Sequence, residues 1–104
     1  MIRVTILYPN EAGKKFDWDY YTKKHLPLLK QELTPLGMVR AEADKGISGP
    51  DPKAPPSFLG VAHLYFKDVD TVHSAFKQTG RKVMGDMANY TDIKPQIVIN
   101  EILP

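Results

Sequence analysis

Residues Phe16–Leu33, FDWDYYTKKHLPLLKQEL, carry the reading from which the fold follows. Asp17 suits a helix N-cap, because its carboxylate can accept from the unpaired backbone N–H groups of a first turn. Asp19 adds negative charge near the positive end of the helix dipole. At about 100° per residue, Trp18, Tyr21, Thr22, His25, Leu28, Leu29, Glu32 and Leu33 share one side. Asp19, Lys23, Lys24, Lys30 and Gln31 share the other. The stretch therefore predicts an amphipathic helix with His25 near the middle of its inward face, one turn from Tyr21. Pro27 has no N–H for the carbonyl of Lys23, which predicts a kink or a loosening of the helix there. An inward imidazole beside a kink is either a histidine satisfied within the core or the floor of a pocket.

On the N-terminal side, Ile2–Tyr8 reads as a strand with Ile2, Val4, Ile6 and Tyr8 on one face and Thr5 and Leu7 on the other. On the C-terminal side, Pro35 and Gly37 punctuate the helix end. Leu36–Lys45 is a weaker, charged strand suited to a sheet edge. Gly46–Pro56, GISGPDPKAPP, reads as a loop outside the core that tolerates change. Ser57–Phe66, SFLGVAHLYF, is the clearest strand. Leu59, Val61, His63 and Tyr65 point one way; Phe58, Gly60, Ala62, Leu64 and Phe66 point the other, toward a helix that the small residues admit. Asp68 caps a second helix with an inner stripe of Val69, Val72, His73 and Phe76, ended or broken at Thr79-Gly80. Arg81–Met87 offers one further turn, Ala88–Asp92 a loop, and Ile93–Leu103 the last strand, with Pro95 near its start.

Strand–helix–strand, twice over, predicts an α+β ferredoxin-like βαββαβ domain covering residues 1–104, with a four-stranded antiparallel sheet and both helices on one face. The first, third and last strands read as apolar on both faces, and two helices cover only one. The economical cover for the other face is the sheet of a second copy, so a homodimer through the sheet faces is expected.

A chain of 104 residues makes one domain with a modest core. Its 14 basic and 12 acidic residues are interspersed, so the gathered basic face of a nucleic-acid binder is not expected. The absence of cysteine excludes disulfides, thiolate catalysis and cysteine-ligated zinc. No membrane-length apolar run or signal-peptide pattern is present, which makes the cytoplasm the expected compartment. Histidine and carboxylate spacings show no metal motif, and no glycine-rich phosphate loop or nucleotide fingerprint occurs, so no metal and no cofactor are expected.

Three blocks resemble the EthD family, named for a protein of ether-degrading bacteria: FDWDYYTKKHLPLL, Ala62-His63-Leu64-Tyr65-Phe66, and MGDMANYTDIKPQ. The resemblance spans essentially the whole chain, with Ala62 where a glycine is usual before the histidine. It implies a dimeric α/β barrel, in which two ferredoxin-like sheets face each other with the helices outside. Relatives of that fold include cofactor-free oxygenases, lactone isomerases, polyketide cyclases and dehydratases, as well as haem proteins. His25 and Tyr21 fit the family's Y-x-x-x-H-x-P pattern.

The candidate catalytic residues are His25 as acid or base, Tyr21 as a donor to a developing oxyanion, and Tyr90 and Asp92 from the loop after the second helix. Trp18, Leu29, Asn89, His63 and Tyr65 are candidate ligand-binding residues, with His63 and Tyr65 facing the barrel interior. Two functions are carried forward. One is a small-molecule-binding protein doing cofactor-free acid/base chemistry on a hydrophobic or aromatic, oxygenated metabolite; the other is a non-catalytic accessory of an oxygenase or degradation system. His25 is expected to line a pocket; its contact with a polar ligand atom favours the first function, and a pocket closed by Trp18 and Leu29 favours the second.

Overall fold

A computed structural model describes residues 1–104. The strands are β1 (Ile2–Pro9), β2 (Arg40–Lys45), β3 (Phe58–Phe66) and β4 (Gln96–Glu101). A helical segment of residues 18–36, α1, lies between β1 and β2, and α2 (Val69–Gly85) between β3 and β4. All neighbouring strands are antiparallel and the sheet order is β2-β3-β1-β4, the ferredoxin-like order. No helix is long and apolar enough to cross a membrane.

The strand alternation places the core as expected. Ile2, Val4, Ile6 and Tyr8 of β1 and Ala62, Leu64 and Phe66 of β3 are buried, together with Leu29 and Leu33 of α1 and Val72, Ala75 and Val83 of α2. Asp17 caps α1, accepting from the N–H of Tyr20 at 3.1 Å. The helix loosens beside Pro27: Tyr21–His25 widens into a π-helical turn, in which Leu26 N–H bonds the carbonyl of Tyr21, and Pro27 falls in the first turn of the following α-helix, Leu26–Leu33. A proline there forfeits no obligatory bond.

Several boundaries move, each for a local reason. β2 starts at Arg40 rather than Leu36, because Thr34–Leu36 forms a closing 3₁₀ turn and Gly37 takes the left-handed φ of 112° that ends the helix. α2 does not stop at Thr79-Gly80: both residues are buried, continuing a stripe through Val72, Ala75 and Val83. Val69 and His73 are exposed and lie off that stripe. β4 is confined to Gln96–Glu101.

The uncovered sheet face is less apolar than expected. The strand pairing aligns Arg40, Tyr65, Arg3 and Asn100 in one row, Glu42, His63, Thr5 and Val98 in the next, and Asp44, Val61, Leu7 and Gln96 in a third. Polar residues dominate the first two rows, and hydrophobic ones enter mainly in the third and in Leu59 beyond it. Residues 46–56 also differ from a freely variable loop at their start. Gly46 N–H donates to Leu59 O at 2.9 Å, and a Cβ on Gly46 would fall on the carbonyl oxygen of Phe58.

Candidate functional site

The start of α1, the inner end of β1 and the segment after α2 meet in an aromatic cluster. Tyr8 and Tyr90 share a hydroxyl–hydroxyl hydrogen bond of 2.8 Å in the interior. Phe16 packs edge-on to Tyr8, Tyr21 and Tyr90, with centroids 5.0–5.3 Å away. The bond from Asp17 N–H to Tyr90 O, 2.7 Å, ties the two chain segments at this point. His25 lies against Tyr21, nearly parallel at 5.7 Å, and against Tyr90 at 4.5 Å. The residue is 3% exposed.

Asp86, just beyond the last turn of α2, organises the polar side of this cluster. Its Oδ2 lies 3.0 Å from His25 Nδ1, while Oδ1 accepts from Tyr20 OH at 2.7 Å and from Asn89 Nδ2 at 3.0 Å. Asn89 Nδ2 also reaches Tyr20 OH at 3.2 Å. A carboxylate can only accept from the imidazole, which fixes the proton on Nδ1 and leaves Nε2 with its lone pair. Burial lowers the pKa of His25 and Asp86 only partly restores it, so the ring is neutral at pH 7. Burial raises the Asp86 carboxyl, but the bonds from Tyr20, Asn89 and His25 outweigh it and hold the group below its ordinary value. Burial raises the phenols of Tyr8, Tyr21 and Tyr90 above their ordinary value, so they stay protonated.

Beside the cluster, a groove of about 260 Å³ runs between the first turns of α1 and the end of β2. Its apolar wall is Trp18, Tyr21, Leu26 and Ala43; Asp19, Thr22, Asp44 and Lys45 supply polar groups. Lys45 Nζ sits 5.2 Å from the Trp18 ring centroid, a cation–π contact across the groove. Gly60 lies under the indole, where a Cβ would stand 3.3 Å from the ring, so glycine allows the tryptophan to settle on the sheet.

Among the candidates, the fold brings Tyr21, His25, Tyr90 and Asn89 together around Asp86 and places Trp18 beside them. The expectation that His25 lines the pocket is corrected: Tyr21 lines the groove and His25 lies behind it, because the π-helical turn stacks the two rings. Asp92 stands apart. It is exposed and accepts from Lys15 N–H at 2.9 Å, pinning the loop before α1. Leu29 is buried in the core rather than in a cavity wall. His63 and Tyr65 alternate onto the far side of the sheet, where His63 Nε2 lies 3.5 Å from Asp44 and Tyr65 OH donates to Glu42 at 2.7 Å. Asp86, Tyr20 and Tyr8 escaped the sequence reading. Asp86 did leave a signal: a carboxylate at the negative end of a helix dipole is unfavourable unless donors surround it.

An α+β ferredoxin-like domain with an aromatic cluster around a carboxylate-held histidine is the class that the fold and this region define. The chain belongs to the EthD family, with residues 11–94 matching the EthD domain. It is 31% identical over 91 residues, 86% of this chain and 84% of the relative, to an uncharacterised 11.0 kDa protein from the thcB–thcC intergenic region of Rhodococcus erythropolis. The crystal structure of an EthD-like protein from Ralstonia eutropha is 32% identical with a TM-score of 0.92, over 99% of this chain and 92% of that one. An EthD family protein from Bacillus halodurans, 18% identical, shares the fold with a TM-score of 0.70 over 99% of each chain.

Proposed function

We propose that this protein binds a small, hydrophobic, oxygenated molecule, aromatic or lactone-like, in the groove between α1 and β2. The observation that carries this reading is the groove itself: an indole and a phenol form an apolar wall opposite a lysine, with Thr22 and two carboxylates at its margins. Such a wall takes an aromatic or alicyclic body while the ammonium of Lys45 meets an oxygen. Trp18 is the sole tryptophan, so its fluorescence reports occupancy. Titration with small phenols and lactones is expected to give a saturable change that Ala43→Arg, which fills the groove, abolishes without lowering the melting temperature. A response that does not saturate, or that survives Ala43→Arg, refutes the seat.

A second reading, cofactor-free acid/base chemistry, is favoured by the pairing of Asp86 with His25. The pair holds a neutral imidazole with Nε2 free of any hydrogen bond within the chain, the protonation state a general base requires. Turnover of a lactone lost in His25→Gln, with binding in the groove retained, supports catalysis; retained turnover makes the protein a non-catalytic binding member of a degradation system.

The working unit in both readings is a homodimer through the open sheet face, where Leu7, Leu59, Val61 and Val98 have no cover in one chain. A stable pair ordinarily buries about 800 Å² per subunit. Sedimentation giving a folded monomer at micromolar concentration overturns that arrangement.

A further inference from the structure

On the helix side of the sheet, the groove beside Trp18 contains a phenol whose polar end is unused. Tyr21 is 2% exposed, its ring packed among those of Tyr8, Phe16, Trp18 and Tyr90. Its hydroxyl makes no hydrogen bond within the chain, yet it is not sealed in. The one sealed side-chain nitrogen or oxygen without a partner is His63 Nδ1. The groove is the one recess that Tyr21 lines, so the hydroxyl opens there. Burial first, then Tyr8 and Asp44 nearby, hold the phenol above its ordinary pKa, so at pH 7 it is a neutral O–H donor. Asp44 borders the groove, and its influence on the phenol places the tip of the side chain on that side.

The remaining polar groups of the groove are of other kinds. Thr22 Oγ1 donates its proton to Trp18 O at 2.9 Å and keeps only lone pairs. Asp19 lies 3.9 Å from Lys23 and Asp44 3.5 Å from His63 Nε2, and both carboxylates are largely exposed. Lys45 is exposed, its ammonium resting over the indole. Tyr21 is thus the one donor held rigidly in the buried wall. Its ring and that of Trp18 stand at 90° with centroids 5.8 Å apart, which makes a corner for a flat ligand. Two carboxylates against one ammonium leave the margins net negative, a field that disfavours an anion.

We propose that the ligand of this groove is a neutral carbonyl compound, its ring in the corner between Trp18 and Tyr21 and its carbonyl oxygen accepting from the Tyr21 hydroxyl. This assignment rests on the groove being the binding seat. Tyr21 is then the residue that sets specificity. An apolar ligand without an acceptor would fill the corner and shut the hydroxyl away from water unpaired, whereas a carbonyl pairs it. A carboxylate of the same size meets the field of Asp19 and Asp44.

Isothermal titration of the native protein with three compounds of one skeleton, chroman-4-one, chroman and chroman-4-carboxylate, tests this. The ketone is expected to bind about tenfold more tightly than either of the others, the factor set by one hydrogen bond to a group otherwise left unpaired. Tyr21→Phe should erase the preference for ketone over chroman without lowering the melting temperature, because the hydroxyl has no partner in the chain to lose. Chroman or the carboxylate binding as tightly as the ketone, in a manner that Ala43→Arg abolishes, overturns the carbonyl assignment and leaves the groove as the seat. A preference that survives in Tyr21→Phe does the same. A lowered melting temperature in Tyr21→Phe means that the hydroxyl is bonded within the chain, and it too overturns the assignment. No binding of any of the three, or binding untouched by Ala43→Arg, removes the seat and the assignment with it.

Discussion

Replacing Asp86 by alanine isolates the interaction that fixes His25. The substitution removes the acceptor of Tyr20 OH, Asn89 Nδ2 and His25 Nδ1 together. Tyr20 is half-buried and Asn89 exposed, so both find water. The imidazole cannot, because its side chain is 4% exposed. A stranded buried N–H costs about 1–3 kcal/mol. Relief of the carboxylate from the helix C-terminus returns about 0.3–1 kcal/mol, leaving a net loss of about 1–2 kcal/mol, or a melting temperature lower by about 5–10 °C in a domain of this size. Acid sharpens the difference. A folded His25 pKa below the ordinary 6.5 means that the unfolded chain binds the proton more readily. Stability is therefore full above about pH 6.5 and declines as pH falls through that value toward the lower folded pKa. Asp86 itself raises the folded His25 pKa, so without it the decline is deeper. Urea denaturation of both proteins at pH 7.5 and pH 5 is expected to show a gap that widens at the lower pH. A gap that stays constant, or an Asp86→Ala protein as stable as the native one, refutes this account of the pair.

Tyr8→Phe leaves the Tyr90 hydroxyl without its 2.8 Å partner in the interior and is expected to cost about 1–2 kcal/mol by urea denaturation; an unchanged midpoint would mean that water reaches Tyr90. Gly46→Ala drives a methyl onto the carbonyl of Phe58, and a loss of about 1–3 kcal/mol is expected from the forced backbone shift. Gly13→Ala, at a positive φ of 80° but with nothing within 4 Å, isolates backbone strain and should cost about 1 kcal/mol, less than Gly46→Ala. Equal losses for the two glycines would deny that Gly46 is sterically locked.

The element order and the covered sheet face were legible, because period-two alternation in β1 and β3 and the 3.6 period of α1 are direct imprints of burial. Where α2 ends was not. Thr79-Gly80 carries a local stop signal, and only the burial of both residues in the folded chain shows that the helix runs on through them. The uncovered face was misjudged for a related reason. Arg3, Thr5 and His63 were read as belonging to strands apolar on both sides, whereas the register gathers them into polar rows that no single strand reveals. In the candidate site, the helical period placed His25 and Tyr21 inward together, but the partner that defines His25, Asp86, lies 61 residues away in sequence. Asp92, two residues past Tyr90, looked equally suitable and turned to the opposite task of holding a loop.

The proposed seat beside Trp18 meets its most direct test in an amide and indole chemical-shift map recorded while a small phenol such as 4-cresol is added. Saturable shifts are expected at the Trp18 indole N–H and at Thr22, Leu26, Ala43 and Lys45, with one dissociation constant common to all. Shifts confined to the far face around Arg3 and Tyr65, or no saturable shift anywhere, would contradict it.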